Sequence, residues 1–187
     1  MHHVCHHHGL VEVARGVSGV HGHRAYTHDG EVAADADLVN LPGCPELHLL
    51  DVAEMEGAFN RLQSIVPAKT LVVHTKYWSA AIGDDAGGYA GSLQGGITMA
   101  STRFCLGDDF TAADYQAVGR SPANPAGAEF STAIEERLGP LVRCIPALVL
   151  DPAAPTTIGL GDSFVGGFIA ALTSPEFSRG SDSVLYR

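Results

Sequence analysis

The residues with the most chemical content lie near the C-terminus, in Pro155-Thr156-Thr157-Ile158-Gly159-Leu160-Gly161-Asp162-Ser163-Phe164. Glycines at 159 and 161 let a turn expose its backbone N–H groups with no Cβ in the way. Phe164, Val165, Phe168, Ile169 and Leu172 then recur at helical spacing, so a helix begins within the motif. Unpaired N–H groups and the positive end of its dipole would receive an anion such as a transferring phosphoryl group. Asp162 enters the same site, where its carboxylate could take the proton of an alcohol as the oxygen attacks phosphorus. The same spacing suits a glycine-rich turn with Asp162 as a helix cap, and spacing leaves both readings open. Neither G-x-x-x-x-G-K-[ST] nor G-x-G-x-x-G is present, which disfavours a P-loop NTPase and a dinucleotide fold.

Such a site needs a strand to deliver the turn and a layer to bury the helix behind it. Residues 144–150 are the strand candidate, with Pro146 favouring an edge or its first part. Gly166, Gly167, Ala170 and Ala171 leave the motif helix room to approach its neighbours. Upstream, Val52, Met55, Phe59 and Leu62 predict an amphipathic helix ending before Pro67, with Glu54, Glu56 and Arg61 off the stripe. Residues 71–73 read as a short buried strand and 77–82 as a second extended segment before Gly83-Asp84-Asp85. Between them, His74-Thr75-Lys76 places polar chemistry at a strand end, where open α/β sheets bind ligands. All three are candidates for substrate contact, and His74 reads equally well as structural.

Tyr89, Leu93, Ile97, Ala100 and Phe104 predict a further helix, in which Gly91, Gly95 and Gly96 lower propensity but permit close packing. Leu106-Gly107-Asp108-Asp109 closes it as a solvated turn or cap, a metal role being the other reading. Two short apolar runs, 37–41 and 47–50, are split by Pro42, Gly43 and Pro45. Residues 121–127, with Pro122 and Pro125, predict a loop. Phe130, Ile134 and Leu138 mark another helical face, stopped by Gly139-Pro140. Strands alternating with helices predict α/β layers rather than a sandwich.

The 187 residues (19.5 kDa) match one domain in length, enough to bury roughly 70% of the potential surface. A composition of 45% hydrophobic and 17% charged residues excludes wholesale disorder. The 22 glycines follow no three-residue period, which excludes a collagen-like fibre. Eleven Lys and Arg against 21 Asp and Glu give a formal charge of −10. That surface repels phosphate backbones at long range, so no nucleic-acid partner is expected. No run of 18 apolar residues and no arginine-rich leader is visible, and the expectation is a cytoplasmic protein without a membrane partner. Cys5, Cys44, Cys105 and Cys144 are widely spaced, with no C-x-x-C pair, and are expected as free thiols. The first nine residues hold five histidines and Cys5, donors suited to a soft divalent metal, yet nothing orders them. They are expected as a flexible end, with a metal-binding tail as the other reading. His21, His23 and His28 read as surface or loop residues.

The segment Thr157-Ile158-Gly159-Leu160-Gly161-Asp162-Ser163-Phe164 resembles the signature of the ribokinase-like carbohydrate kinases. Leu71-Val72-Val73-His74-Thr75-Lys76-Tyr77 is similar to a sheet strand of the ADP-dependent glucokinase and phosphofructokinase branch, as is the Gly-Leu-Gly-Asp form of the final motif. The resemblance spans about residues 45–173 and is specific only at 157–164. It implies a partial ribokinase-like layered α/β fold, a central sheet flanked by helices, with residues 1–36 as a poorly specified extension and 37–187 as the C-terminal part of that domain. It also implies Asp162 as general base, Gly159, Leu160 and Gly161 as anion-hole backbone, and nucleotide contacts at Thr157 and Ile158 and in the preceding strand and loop. The donor would be ADP, favoured over ATP, with Mg2+, and the acceptor a hydroxyl of a sugar or sugar phosphate.

The family departs from this chain in several places. Its members are much longer, and their earlier half carries much of the sheet, the sugar pocket and the lid, so the expectation is a truncated member. The Asn-x-x-Glu motif is not evident, since Asn40 and Asn60 lack the glutamate, and His48-Leu49-Leu50-Asp51 only loosely matches the branch's His-x-Glu element. The metal ligands are therefore unassigned, with Asp84, Asp85, Asp108 and Asp109 as acidic candidates. The other expectation is a catalytically impaired module that binds or self-associates through uncovered sheet edges, giving a homo-oligomer.

Overall fold

The backbone of Val11–Arg15 is extended, in a stretch of weak apolar periodicity. The computed structural model describes residues 11–15, 26–28, 31–36, 48–66 and 68–174. Strands β1 (Val11–Arg15), β2 (Tyr26–His28) and β3 (Glu31–Ala36) form an antiparallel sheet in the order β1-β3-β2. The weak periodicity of that region did not announce these strands. The β1 backbone runs beside the first strand of a second sheet without a ladder between them. The histidine-rich tract, Cys5, Cys44 and the apolar run 37–41 lie outside the described residues.

Asp51 starts helix α1 (Val52–Ile65), its carboxylate accepting the Glu54 N–H at 2.9 Å. Met55, Ala58, Phe59 and Leu62 are its buried face, the i, i+3, i+4, i+7 stripe of the sequence. Strand β4 (Thr70–His74) then pairs antiparallel with β5 (Trp78–Gly83) through a tight turn, and β5 pairs antiparallel with β6 (Val142–Pro146). Every residue of the central strand β5 is buried, because both sheet faces are covered. One face presents Leu71, Val73, Trp78, Ala80, Ile82, Val142 and Cys144 to α1 and to helix α4 (Pro125–Leu138). Trp78 stacks on Phe130 at 4.8 Å, meets Phe59 edge-on at 5.9 Å, and donates its indole N–H to the Leu49 carbonyl at 2.6 Å. A buried Trp thus keeps its polar atom satisfied.

The opposite face, with Val72, Ala81 and Ile145, is covered by the long helix α2 (Ala90–Leu106) and the motif helix α5 (Leu160–Thr173). Contacts of Gly95 with Ala171, Met99 with Gly167 and Arg103 with Gly159 run in opposite order along the two helices, so α2 and α5 are antiparallel. A Cβ on Gly167 would lie 2.4 Å from the Met99 Cβ and 2.5 Å from the Gly95 carbonyl oxygen. The glycines therefore set this contact, as their spacing predicts.

The layered α/β expectation holds, with the sheet small and antiparallel. Other differences are local. Strand β6 ends at Pro146 rather than residue 150, leaving Leu148 in an isolated bridge to Ala123. The expected loop 121–127 already contains the start of α4, capped by Asn124, with Pro125 in its first turn. The short helix α3 (Ala112–Val118) was not foreseen. It carries a Thr111–Asp114 capping box and buries no residue, so it lacks an apolar stripe.

Candidate functional site

β4 and β6 each run antiparallel to β5, so they are parallel to one another and end on the same edge of the sheet. His74 is the last residue of β4, and its ring stacks on Phe164 at 4.4 Å with an 18° interplanar angle. That contact places the start of α5 at this edge. Phe164 is buried, and a Cβ on Gly96 would meet its ring at 2.7 Å. The first turn of α5 is therefore seated on β4 from below and on α2 from the side.

The motif itself forms the entry to α5. Gly159 is left-handed (φ 72°, ψ 19°) and no side chain caps the helix. A side chain at that φ is rarely accommodated. The first ladder bond runs from the Ser163 N–H to the Gly159 carbonyl at 3.0 Å, and the Ser163 hydroxyl donates to the same oxygen at 2.8 Å. The N–H groups of Leu160, Gly161 and Asp162 precede that bond and have no partner within the helix. Asp162, the third residue of α5, is exposed and caps no N–H of its helix. Among the described residues it makes no hydrogen bond or ion pair. The helix-cap role open at the sequence level is thus not the one it takes. Thr157 and Ile158 are exposed too, Ile158 to 80%, whereas Leu160 and Gly161 are half-buried.

A residue that sequence reasoning missed reaches this turn from α2. Arg103 donates from Nε to the Ile158 carbonyl at 2.9 Å and pairs through a terminal nitrogen with the Asp108 carboxylate. Next to it, the Thr156 N–H donates to the Phe104 carbonyl at 3.1 Å. The C-terminal turn of α2 thereby holds the backbone on the N-terminal side of Gly159. The only sequence signal was a basic residue in the last turn of a helix, which does not name its partner.

The other candidates take different places. Thr75 spends its hydroxyl on the β4–β5 turn, accepting from the Tyr77 and Trp78 N–H groups at 3.1 Å each and donating to the Trp78 carbonyl at 3.0 Å. Lys76 is exposed, its ammonium 4.9 Å from the centre of the Tyr77 ring. Burial pushes the His74 imidazole down to about 4, so it is neutral at pH 7. Cys144 and Cys105 are free thiols, and burial pushes Cys144 up to about 12. Asp84, Asp85 and Asp109 are exposed, and the Asp108 carboxylate is engaged by Arg103. Among the described residues no group of three or more His, Cys, Asp or Glu could hold a metal ion.

No family model matches the sequence, and no curated protein matches it. Solved structures do match. A phosphofructokinase from Pyrococcus horikoshii OT3, crystallised with AMP, is 24% identical with a TM-score of 0.54, over 65% of this chain and 29% of that one. A hypothetical ADP-dependent phosphofructokinase from the same organism is 25% identical with a TM-score of 0.53, over the same shares. An ADP-dependent kinase in complex with fructose-6-phosphate and ADPβS is 17% identical with a TM-score of 0.52, over 68% of this chain and 32% of that one. The chain thus shares part of the layered fold of these kinases and spans about a third of their length.

Proposed function

We propose that this chain carries the phosphoryl-transfer site of an ADP-dependent sugar kinase. The observation that supports the reading most is the uncapped start of α5, entered through left-handed Gly159 and carrying exposed Asp162 in its first turn, on a fold shared with ADP-dependent phosphofructokinases. In this reading the backbone of Gly159, Leu160 and Gly161 holds the transferring phosphoryl group. The helix dipole and free N–H groups offset its charge. Thr157 and Ile158 line the approach of the nucleotide. Asp162 accepts the proton of a sugar or sugar-phosphate hydroxyl as that oxygen attacks the β-phosphorus of ADP. The bond from that phosphorus to its bridging oxygen breaks, AMP leaves, and the phosphate ester is formed.

The AMP, ADPβS and fructose-6-phosphate named for the neighbouring structures support a nucleotide and a sugar phosphate as the ligand classes. ADP is preferred to ATP on the same likeness. Magnesium, expected from the resemblance, would arrive with the nucleotide rather than on a described cluster of acids. A cytoplasmic location belongs to the same reading.

The test is a donor and acceptor screen on the purified chain, pairing ADP or ATP and magnesium with glucose or fructose 6-phosphate and following 31P resonances. The expected result is a new phosphate ester together with AMP, with ADP outperforming ATP. Absence of both turnover and calorimetric nucleotide binding for every pair would contradict the proposal.

A further inference from the structure

We infer that Arg103 is a positioning residue for the 157–161 turn, acting through the Ile158 carbonyl to keep the N–H side of that turn facing an incoming phosphate. The inference rests on the phosphotransfer reading for its purpose, but its structural part stands on contacts of its own.

A turn that receives an anion must present N–H groups and keep its carbonyl oxygens aside, because an oxygen pointing inward repels the ligand. The Ile158 oxygen directly precedes Gly159, and Arg103 Nε binds it at 2.9 Å. The guanidinium also packs over Gly159. A Cβ there would lie 3.3 Å from both Nε and a terminal nitrogen. The left-handed backbone favours glycine at 159, and a side chain there would also press on the guanidinium.

The electrostatics point the same way. Arg103 sits in the last turn of α2, where a cation suits the helix dipole. The same guanidinium meets the start of α5, where the dipole is positive. Two positive groups converge on one turn, and Asp108, largely exposed, is the acid that steadies the arginine. A phosphoryl group arriving at the turn would relieve that convergence. Lysine could replace the charge but not the planar fork that binds a carbonyl and a carboxylate together.

The experiment compares the parent with R103Q, R103K and D108N, after circular dichroism and melting confirm that each folds. Amide hydrogen exchange at Ser163, whose N–H makes the first bond of α5, reads the turn directly. Titration with ADP and initial rates read its use. Exchange at Ser163 should accelerate in R103Q, less in R103K, and least in D108N, where the arginine remains. If the parent is active, R103Q should lose about tenfold to a hundredfold in kcat, with the KM for the acceptor little changed. Parent-like Ser163 exchange in both R103Q and R103K would overturn the inference, whatever the activity. So would parent-like kcat and ADP affinity in R103Q. A parent that neither binds ADP nor turns over would remove the proposed function, leaving Ser163 exchange to decide the role of Arg103.

Discussion

His74 lies against the start of α5 and is neutral at pH 7. Its ring stacks on Phe164, and the imidazole titrates at about 4 instead of 6.5 because burial disfavours the charged form. Between those values the unfolded chain binds a proton that the folded chain refuses. The contribution of His74 to stability is therefore whole above pH 6.5 and is lost as pH falls toward 4. Allowing for partial exposure of the residue, the loss is roughly 2–3 kcal/mol. His74→Phe should keep the stacked contact and flatten the pH dependence by that amount, read as the difference in urea stability between pH 7 and pH 4.5 for parent and variant. Equal slopes in the two proteins would contradict the assignment. At this scale the sequence was informative about the motif and less so about its helpers. Gly159 and Asp162 are conspicuous by type and spacing. Arg103 is not, because nothing in the chain pattern links position 103 to a carbonyl at 158.

At the scale of elements, the α2–α5 crossing fixes where the motif helix lies, and neighbouring glycines in it should respond oppositely to alanine. A methyl on Gly167 would collide with the Met99 Cβ and the Gly95 carbonyl, whereas Gly166 has nothing within 4 Å of a new Cβ. Gly167→Ala should cost about 1–3 kcal/mol through overpacking. Gly166→Ala should stabilise by about 0.5–1 kcal/mol through helix propensity. Chemical denaturation of both variants checks the pair, and a stabilising Gly167→Ala would refute the packing described for the crossing. The sequence revealed α1, α2, α4 and α5, since each carries an apolar stripe. It also showed the cores of β4 and β5. It could not show that the strands pair antiparallel, because strand period does not encode neighbour direction. The strands β1, β2 and β3 had no such signal, whereas two helix starts carried weaker ones. Thr111 with Asp114 is a capping box for α3, and Asn124-Pro125 suits a turn and a helix start alike.

For the molecule as a whole, 11 Lys and Arg against 21 Asp and Glu give a formal charge of −10. No described helix is long and apolar enough to cross a membrane. Of the two described sheets, β4-β5-β6 lies between α1 with α4 on one face and α2 with α5 on the other, and β4 ends against the motif helix. That architecture brings a glycine turn, a helix start, an arginine and an exposed acid to one edge, which is why phosphoryl transfer is the function proposed. The most direct measurement is the rate of acceptor phosphorylation from ADP by the parent and by Asp162→Asn at saturating substrates. Measurable turnover by the parent and a fall of about 10²–10⁴-fold in the variant are expected, with its Tm within about 3 °C of the parent because Asp162 is exposed and bonded to nothing described. Turnover by Asp162→Asn at the parent rate would contradict that expectation.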